Sequence, residues 1–295
     1  MNKPISRRTA LSAGALGSLA AALPASADVP VPKRITKGRI KQSIMAWTYN
    51  KVMSKKELAA LCADIGISAM EGLGPENYPL MKEHGLGVSL TGSHGFGAGP
   101  TDPKNHANVI KKIREGIDLA KKWGAPGVIT FTGMKVDGMS RDEMWDNCIK
   151  AWKQVLPYAE EQGINVVLEH LNSRDGSHPM TGHPGYLGDD VDEVAEVIRS
   201  IDSPKLKLLF DIYHVQIMNG DVIKRIHECK DIIGHVHTAG VPGRHELDEN
   251  QELQYPPIMR ALLDIGYTGY VAQEFLPTWD DPAAALRAAA VLCDV

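Results

Sequence analysis

The chain has 295 residues, with 32 Lys and Arg against 36 Asp and Glu and a formal charge of −4. Removing residues 1–27, which read as a leader, takes away Lys3, Arg7 and Arg8 and no acid, so the remainder stands at −7. It holds no long basic cluster, which excludes nucleic acid as the main partner, and its length of about 270 residues is the usual size of one eight-stranded α/β barrel.

The leader begins with Ser6-Arg7-Arg8-Thr9-Ala10-Leu11, continues as an apolar run rich in Ala, Gly and Leu to Leu23, and ends in Ala25-Ser26-Ala27. A charged start, an apolar middle and a small-residue exit make a cleavable signal peptide. The paired arginines resemble a twin-arginine export signal, which implies an exported, periplasmic protein. The apolar run is too short and too rich in Gly and Ala to span a bilayer well, so no stable membrane insertion is expected after cleavage. Cys62, Cys148, Cys229 and Cys293 lie far apart in helix-like stretches without metal-type spacing. They read as helix-packing residues, because a chain that folds before export does so in a reducing compartment.

From residue 28 onward one punctuation recurs: a helical pattern ends in glycine and an apolar strand follows at once. It occurs at Gly66, Gly85, Gly124, Gly163 and Gly266, where glycine can take the left-handed conformation that closes a helix. The spacing predicts eight strands near 42–48, 67–71, 86–92, 127–132, 164–170, 206–211, 233–238 and 270–275. Helices lie between them, and a short one follows over 282–292. Residues 28–295 therefore read as a single (β/α)8 barrel of the α/β class. The alternative, an open doubly wound sheet, calls for a Gly-rich phosphate loop after the first strand, but Trp47-Thr48-Tyr49-Asn50 stands there. Gly95, Gly97 and Gly99 lack dinucleotide spacing and read as a flexible active-site loop with no nucleotide cofactor.

Four of the later strands end in residues able to bind a metal: Glu169, Asp211, His237 and Glu274. Charged groups are costly to bury unless paired or metal-bound, and parallel strands in a closed barrel bring their C-terminal ends to one face. Three carboxylates and an imidazole suit one divalent cation such as Mn²⁺, Mg²⁺ or Co²⁺. Glu169 and Glu274 could pass a proton off one carbon and onto another of a substrate held between them, while the metal acidifies that proton and stabilises the enediolate. Separate surface ion pairs are the alternative for each carboxylate. His235 shares a strand face with His237 and is either a support or a packed residue. His214, just past Asp211, is placed to reach a substrate oxygen, or else to cap a helix. Arg244, between Gly243 and His245, either forks onto a substrate carboxylate or forms a surface pair with Glu246 or Asp248. Glu71, His94, Trp47 and Tyr49 are further candidates for the pocket wall.

Glu169 together with Asn172, the stretch Asp211-Ile212-Tyr213-His214-Val215-Gln216-Ile217-Met218-Asn219-Gly220-Asp221, and the run Pro242-Gly243-Arg244-His245-Glu246 resemble hydroxypyruvate isomerases of the xylose-isomerase-like barrel superfamily, which also holds ketose 3-epimerases. The resemblance implies an intramolecular oxidoreductase of the aldose–ketose type acting on a small hydroxy-carbonyl or sugar. Glu169 and Glu274 would serve as proton carriers and ligands, and Asp211 and His237 would complete the metal site. His214, Arg244, Glu71, His94, Asn172 and Trp47 would contact substrate. Two positions depart from the pattern: His170 stands where proline is usual, and His237 where glutamine is frequent. The same ligand set also suits an exported lyase, hydrolase or 3-epimerase acting on keto-sugars or oxidised glycosides. A phosphodiesterase would need a multi-zinc cluster with more strand-end histidines, and a non-catalytic sugar-binding protein would not need paired carboxylates. A homo-oligomer is compatible with the sequence.

Overall fold

Eight parallel strands alternate with helices along the chain: β1 (Lys41–Met45), β2 (Ala69–Glu71), β3 (Gly87–Val88), β4 (Gly127–Phe131), β5 (Asn165–Glu169), β6 (Leu206–Asp211), β7 (Ile233–Thr238) and β8 (Tyr270–Gln273). They form one sheet in the order β3-β2-β1-β8-β7-β6-β5-β4. The two ends meet where Thr91, just past β3, pairs with Val128 of β4. Thr91 donates its amide to the Gly127 carbonyl at 3.1 Å and accepts from the Ile129 amide at 3.0 Å. This computed structural model describes residues 34–295; the expected leader, with Arg7 and Arg8, lies outside them. The expected single barrel is the architecture found.

The helices are α1 (Lys55–Ile65), α2 (Tyr78–Glu83), α3 (His106–Trp123), α4 (Arg141–Gln162), α5 (Val191–Ile201), α6 (Ile212–Met218), α7 (Val222–Glu228), α8 (Tyr255–Asp264) and α9 (Pro282–Leu292). Their ends are written in the sequence. Ser54 with Glu57, and Ser140 with Glu143, form reciprocal capping boxes at the starts of α1 and α4. Gly163 (φ 75°) closes α4 in the left-handed region and returns its amide to the Ala159 and Glu160 carbonyls, so β5 begins two residues later. All four cysteines are buried and free, as expected. No helix among the described residues is long and apolar enough to cross a membrane.

Alternation along each strand separates two cores. Ile44, Met70, Val166, Leu168, Leu208, Phe210, Val236 and Val271 join the helices in the large outer core. Leu90, Val167 and Leu209, packed with Ile129, form a separate cluster within the barrel. The residues that share that inward parity at the strand ends are Glu71, Glu169, Asp211, His237 and Glu274.

Two strands end three or more residues earlier than the spacing predicts. β1 stops at Met45 and passes into a 3₁₀ turn over Ala46–Tyr49. β3 retains two paired residues before the chain bends towards Thr91. At that seam α3 lies very close. A Cβ on Gly116 would meet Val128 Cγ2 at 2.4 Å and the Gly92 carbonyl at 2.7 Å, and only glycine fits such a contact.

Candidate active site

Glu169 closes β5, Asp211 closes β6, His237 sits one residue from the end of β7, and Glu274 follows β8 directly. Their ligand atoms all lie within 4.8 Å of one another, and all four residues are buried. From His237 Nδ1 the nearest carboxylate oxygens are Glu274 Oε2 at 2.6 Å, Glu169 Oε1 at 3.4 Å and Asp211 Oδ2 at 4.0 Å. With bonds of about 2.1 Å, cis ligands on an octahedral divalent ion sit about 3 Å apart and trans ligands about 4 Å apart. The observed spacings are those of ligands around a shared centre.

The hydrogen bonding supports that reading. His237 Nδ1 and Glu274 Oε2 are both buried and form no aligned hydrogen bond, although only 2.6 Å separates them and Arg244 Nη2 stands 2.7 Å from the same oxygen. The other ring nitrogen, His237 Nε2, is 2.8 Å from Glu71 Oε1, which matches the carboxylate support common behind metal-bound histidines. Asp211 uses Oδ1 to accept the Tyr213 and His214 amides at the start of α6, at 2.8 and 3.2 Å, and this turns Oδ2 towards the cluster. Tyr186 fixes the end of β5: its hydroxyl donates to the Glu169 carbonyl at 2.8 Å and accepts from the Thr132 amide at 2.9 Å. The residues present fit a divalent cation. The three carboxylates set against Arg244 leave two negative charges, which balance a divalent cation.

The two glutamates occupy different electrostatic environments. Burial pushes Glu169 up to about 7, with the neighbouring His237 ring opposing the rise. Burial also works to raise Glu274, but the charges of Arg244 and His237 outweigh it and hold the group down at about 2. Burial lifts Asp211 to about 6 against the pull of Arg244. Burial disfavours a charge on His237, yet the surrounding carboxylates, Glu274 foremost, raise it well above its ordinary range. Two carboxylates whose environments separate their affinities for a proton are the usual mark of an acid and base pair.

A cavity of about 330 Å³ opens over the cluster, with Glu169, Glu274, Arg244, Trp47 and His94 in its wall, so these five expected residues come together. Glu169 on β5 and Glu274 after β8 flank Asp211 and His237 in the strand order.

Glu71 lines a small adjoining cavity that shares Met45, Gly92 and Ile129 with this one; it lies behind His237 and accepts from His237, His235 and Ser89. Asn172 and His214, expected to touch substrate, are buried behind the wall. The Asn172 amide donates to His214 Nδ1 at 3.1 Å, its side-chain Nδ2 donates to the Thr181 carbonyl at 2.7 Å, and His214 Nε2 lies 3.5 Å from Asp211 Oδ2. Tyr49 is a core residue set edge-on against Phe275, because the 3₁₀ turn rotates it inward. Arg244 pairs with neither Glu246 nor Asp248. It is buried, with Nη2 at 2.7 Å from Glu274 and 3.3 Å from Asp211 and Nη1 donating to the Met180 carbonyl. Glu246 instead accepts the amides of Thr278 and Trp279.

Sequence reasoning missed the far wall: Phe96, Phe131, Met180 and His183. Phe96 packs against His183 with ring centroids 4.2 Å apart and planes inclined at 45°. Burial lowers His183, and then Arg244 lowers it further, to about 4, so its ring is neutral near pH 7. The cluster of His, Pro and Gly over 178–185 was the available signal for a loop placed over the site.

The profile of the xylose isomerase-like TIM barrel family matches residues 59–294. A 2-oxo-tetronate isomerase of Cupriavidus necator is 36% identical over 254 residues, covering 79% of this chain and 91% of that protein. A human protein named putative hydroxypyruvate isomerase is 30% identical over 193 residues, covering 64% of this chain and 66% of that one. Among solved structures, a 3-keto-D-glucoside 4-epimerase from E. coli superposes with a TM-score of 0.71 at 20% identity, covering 86% of this chain and 98% of that one, a likeness of fold. With its strand-end cluster and isomerase relatives, the chain is an isomerase and belongs to the xylose isomerase-like TIM barrel family.

Proposed function

We propose that the protein is a metal-dependent isomerase of the hydroxypyruvate-isomerase type, exchanging carbonyl and hydroxyl positions on a small 2-oxo acid or sugar. The observation that carries this is the convergence of Glu169, Asp211, His237 and Glu274 within 4.8 Å of one another, with both glutamates in the wall of one cavity. A divalent cation held by Glu169, Asp211, His237 and Glu274 would supply Lewis acidity towards the substrate oxygens. Glu274, kept as a carboxylate by Arg244, is the group suited to take a proton from carbon. Glu169 is suited to deliver one to the neighbouring carbon or oxygen. Phe96, Phe131 and Met180 exclude water from the transfer, and the neutral His183 ring presents nitrogens that no described residue engages. Small 2-oxo acids are favoured as substrates by the relatives named 2-oxo-tetronate isomerase. We also propose that residues 1–27 direct export of the folded barrel to the periplasm, a reading supported by Arg7, Arg8 and the small-residue exit.

Epimerisation of a keto-sugar is a second reading. It uses the same two carboxylates, and it is favoured by histidine rather than glutamine at position 237. Incubating the metal-loaded protein in D₂O with a panel of small hydroxy-carbonyls decides between them. Deuterium beside the carbonyl with a positional isomer as product supports the isomerase, and deuterium with an inverted centre supports the epimerase. Elimination products support the lyase alternative and overturn both.

A further inference from the structure

We propose that Glu71 is a positioning residue that makes His237 a metal ligand, and that the buried Glu71, His235 and Ser89 group serves this purpose rather than holding a second ion. The inference rests on the reading of the strand-end quartet as a metal site. Glu71 ends β2 and lies three strands away from β7 in the sheet, with β1 and β8 between. The carboxylate and the imidazoles can meet across the barrel because the intervening inward positions are small: Ser43 pairs with Ala69 on one side and Ala272 on the other, and Ala272 pairs with His237.

Three donors converge on the Glu71 carboxylate. His237 Nε2 is 2.8 Å from Oε1, His235 Nε2 is 3.1 Å from Oε1 and 3.0 Å from Oε2, and Ser89 donates to Oε2. An ionised carboxylate only accepts hydrogen bonds, so both imidazoles must carry their proton on Nε2. With the proton held on Nε2, Nδ1 is the nitrogen left for a cation, and it points at Glu274, Glu169 and Asp211. Without Glu71 the ring is free to take its proton on Nδ1. The 2.6 Å approach to Glu274 would then become a hydrogen bond that occupies two ligands at once.

The same accounting explains why Glu71, His235 and His237 gather as a second set of ligand atoms. Both Glu71 oxygens are already engaged by donors, and His237 can give Nδ1 to only one centre. One ion per chain is therefore expected.

The test is titration of the metal-free mature protein with Co²⁺, followed by visible absorption and by competition with a chelator. Wild type should bind one Co²⁺. Glu71→Gln keeps the shape but offers only one accepting oxygen for two imidazoles. It should bind about 10–100-fold more weakly, with a shifted Co²⁺ spectrum. His235→Gln and Ser89→Ala, which loosen Glu71 without removing it, should give smaller shifts in the same direction and keep the proposal testable if Glu71→Gln fails to fold. Wild type without tight Co²⁺ would overturn the metal reading itself. Wild type that binds one ion, with variants of unchanged affinity and spectrum, would overturn the role of Glu71 alone. Two ions in wild type and one in Glu71→Gln would overturn it in favour of a second metal site.

Discussion

Arg244 sets a guanidinium nitrogen 2.7 Å from Glu274 Oε2. The backbone bends to do this: Arg244 has φ 61° and follows Gly243 at φ 87°. A left-handed arginine costs on the order of 1 kcal/mol or more, and that strain is accepted where it brings a charge onto the quartet. Removing the charge in Arg244→Met leaves Glu274 without the leading influence that holds it down at about 2. Glu274 then rises towards the ordinary carboxylate range and beyond. The acid limb of the kcat/KM profile should move to higher pH, with turnover reduced at every pH. An unmoved acid limb would show that Arg244 does not govern Glu274.

Asp211 has two tasks on separate oxygens. Oδ1 caps α6 through the Tyr213 and His214 amides, while Oδ2 faces His237 and Arg244. Asp211→Asn preserves a capping oxygen and removes the charge. Metal affinity should fall by at least ~10-fold, with the melting temperature of the metal-free protein little changed. Asp211→Ala should lose both, adding a capping cost of about 1 kcal/mol. Stoichiometric metal held by Asp211→Asn at wild-type affinity would remove Asp211 from the ligand set.

Replacing Glu169 or Glu274 with Gln keeps the size and one oxygen but removes the proton carrier. Either change should lower turnover by about 10²–10⁴-fold. The two variants should differ in solvent exchange. With Glu274→Gln, substrate should take up no deuterium from D₂O. With Glu169→Gln, exchange should persist without product. Near-normal turnover in both would reduce these residues to ligands only.

Without metal, stability should fall as pH rises. Glu169 is held at about 7, above its ordinary 4.5. Its contribution to stability is complete below pH 4.5 and is lost as pH climbs through 7. Asp211, held at about 6 against 3.8, behaves the same way in a lower window, and His237, raised above 6.5, also loses its contribution on the alkaline side. Glu274 has the opposite sign, but its contribution is complete above pH 4.5 and fades only towards about 2. Melting in EDTA should therefore drop between pH 5 and 8, Glu169 alone accounting for on the order of 3 kcal/mol. Divalent metal should cancel the drop, because it binds the deprotonated ligands. A melting temperature that rises over this range in EDTA would contradict the electrostatics described here.

Export is tested on the leader itself. A fusion carrying Arg7→Lys and Arg8→Lys should stay inside the cell, and the original leader should deliver a folded barrel cleaved after Ala27. Equal export of both would remove the twin-arginine reading.

Much of the architecture was legible because it is encoded locally. Capping pairs such as Ser140 with Glu143 and the glycine at the end of α4 mark helix boundaries within a few residues. The quartet stood out because carboxylates at the ends of apolar runs are costly unless they converge. What was not legible depends on distance across the fold. The meeting of Glu71 with His237 requires small side chains at Ser43, Ala69 and Ala272, and no spacing rule links positions 166 residues apart. The burial of Tyr49 follows from β1 stopping at Met45 rather than three residues later. The loop carrying Met180 and His183 has no hydrophobic period, so its place over the cavity is set by long-range anchors: Asn172 and Tyr213 on the Thr181 carbonyl, and Arg244 on that of Met180.

The seam at Thr91 divides the barrel into unequal halves. The ligand-bearing strands β5, β6, β7 and β8 have 5, 6, 6 and 4 residues, whereas β2 and β3 have 3 and 2. Backbone opening follows local hydrogen bonding and packing, so the thin half breathes at a lower free energy than the half that holds the quartet. His94 and Phe96 both follow β3 in the thin half. A lineage built on this plan can therefore rewrite which molecule it admits by trading residues on one side, while the chemistry on the other side stays in register.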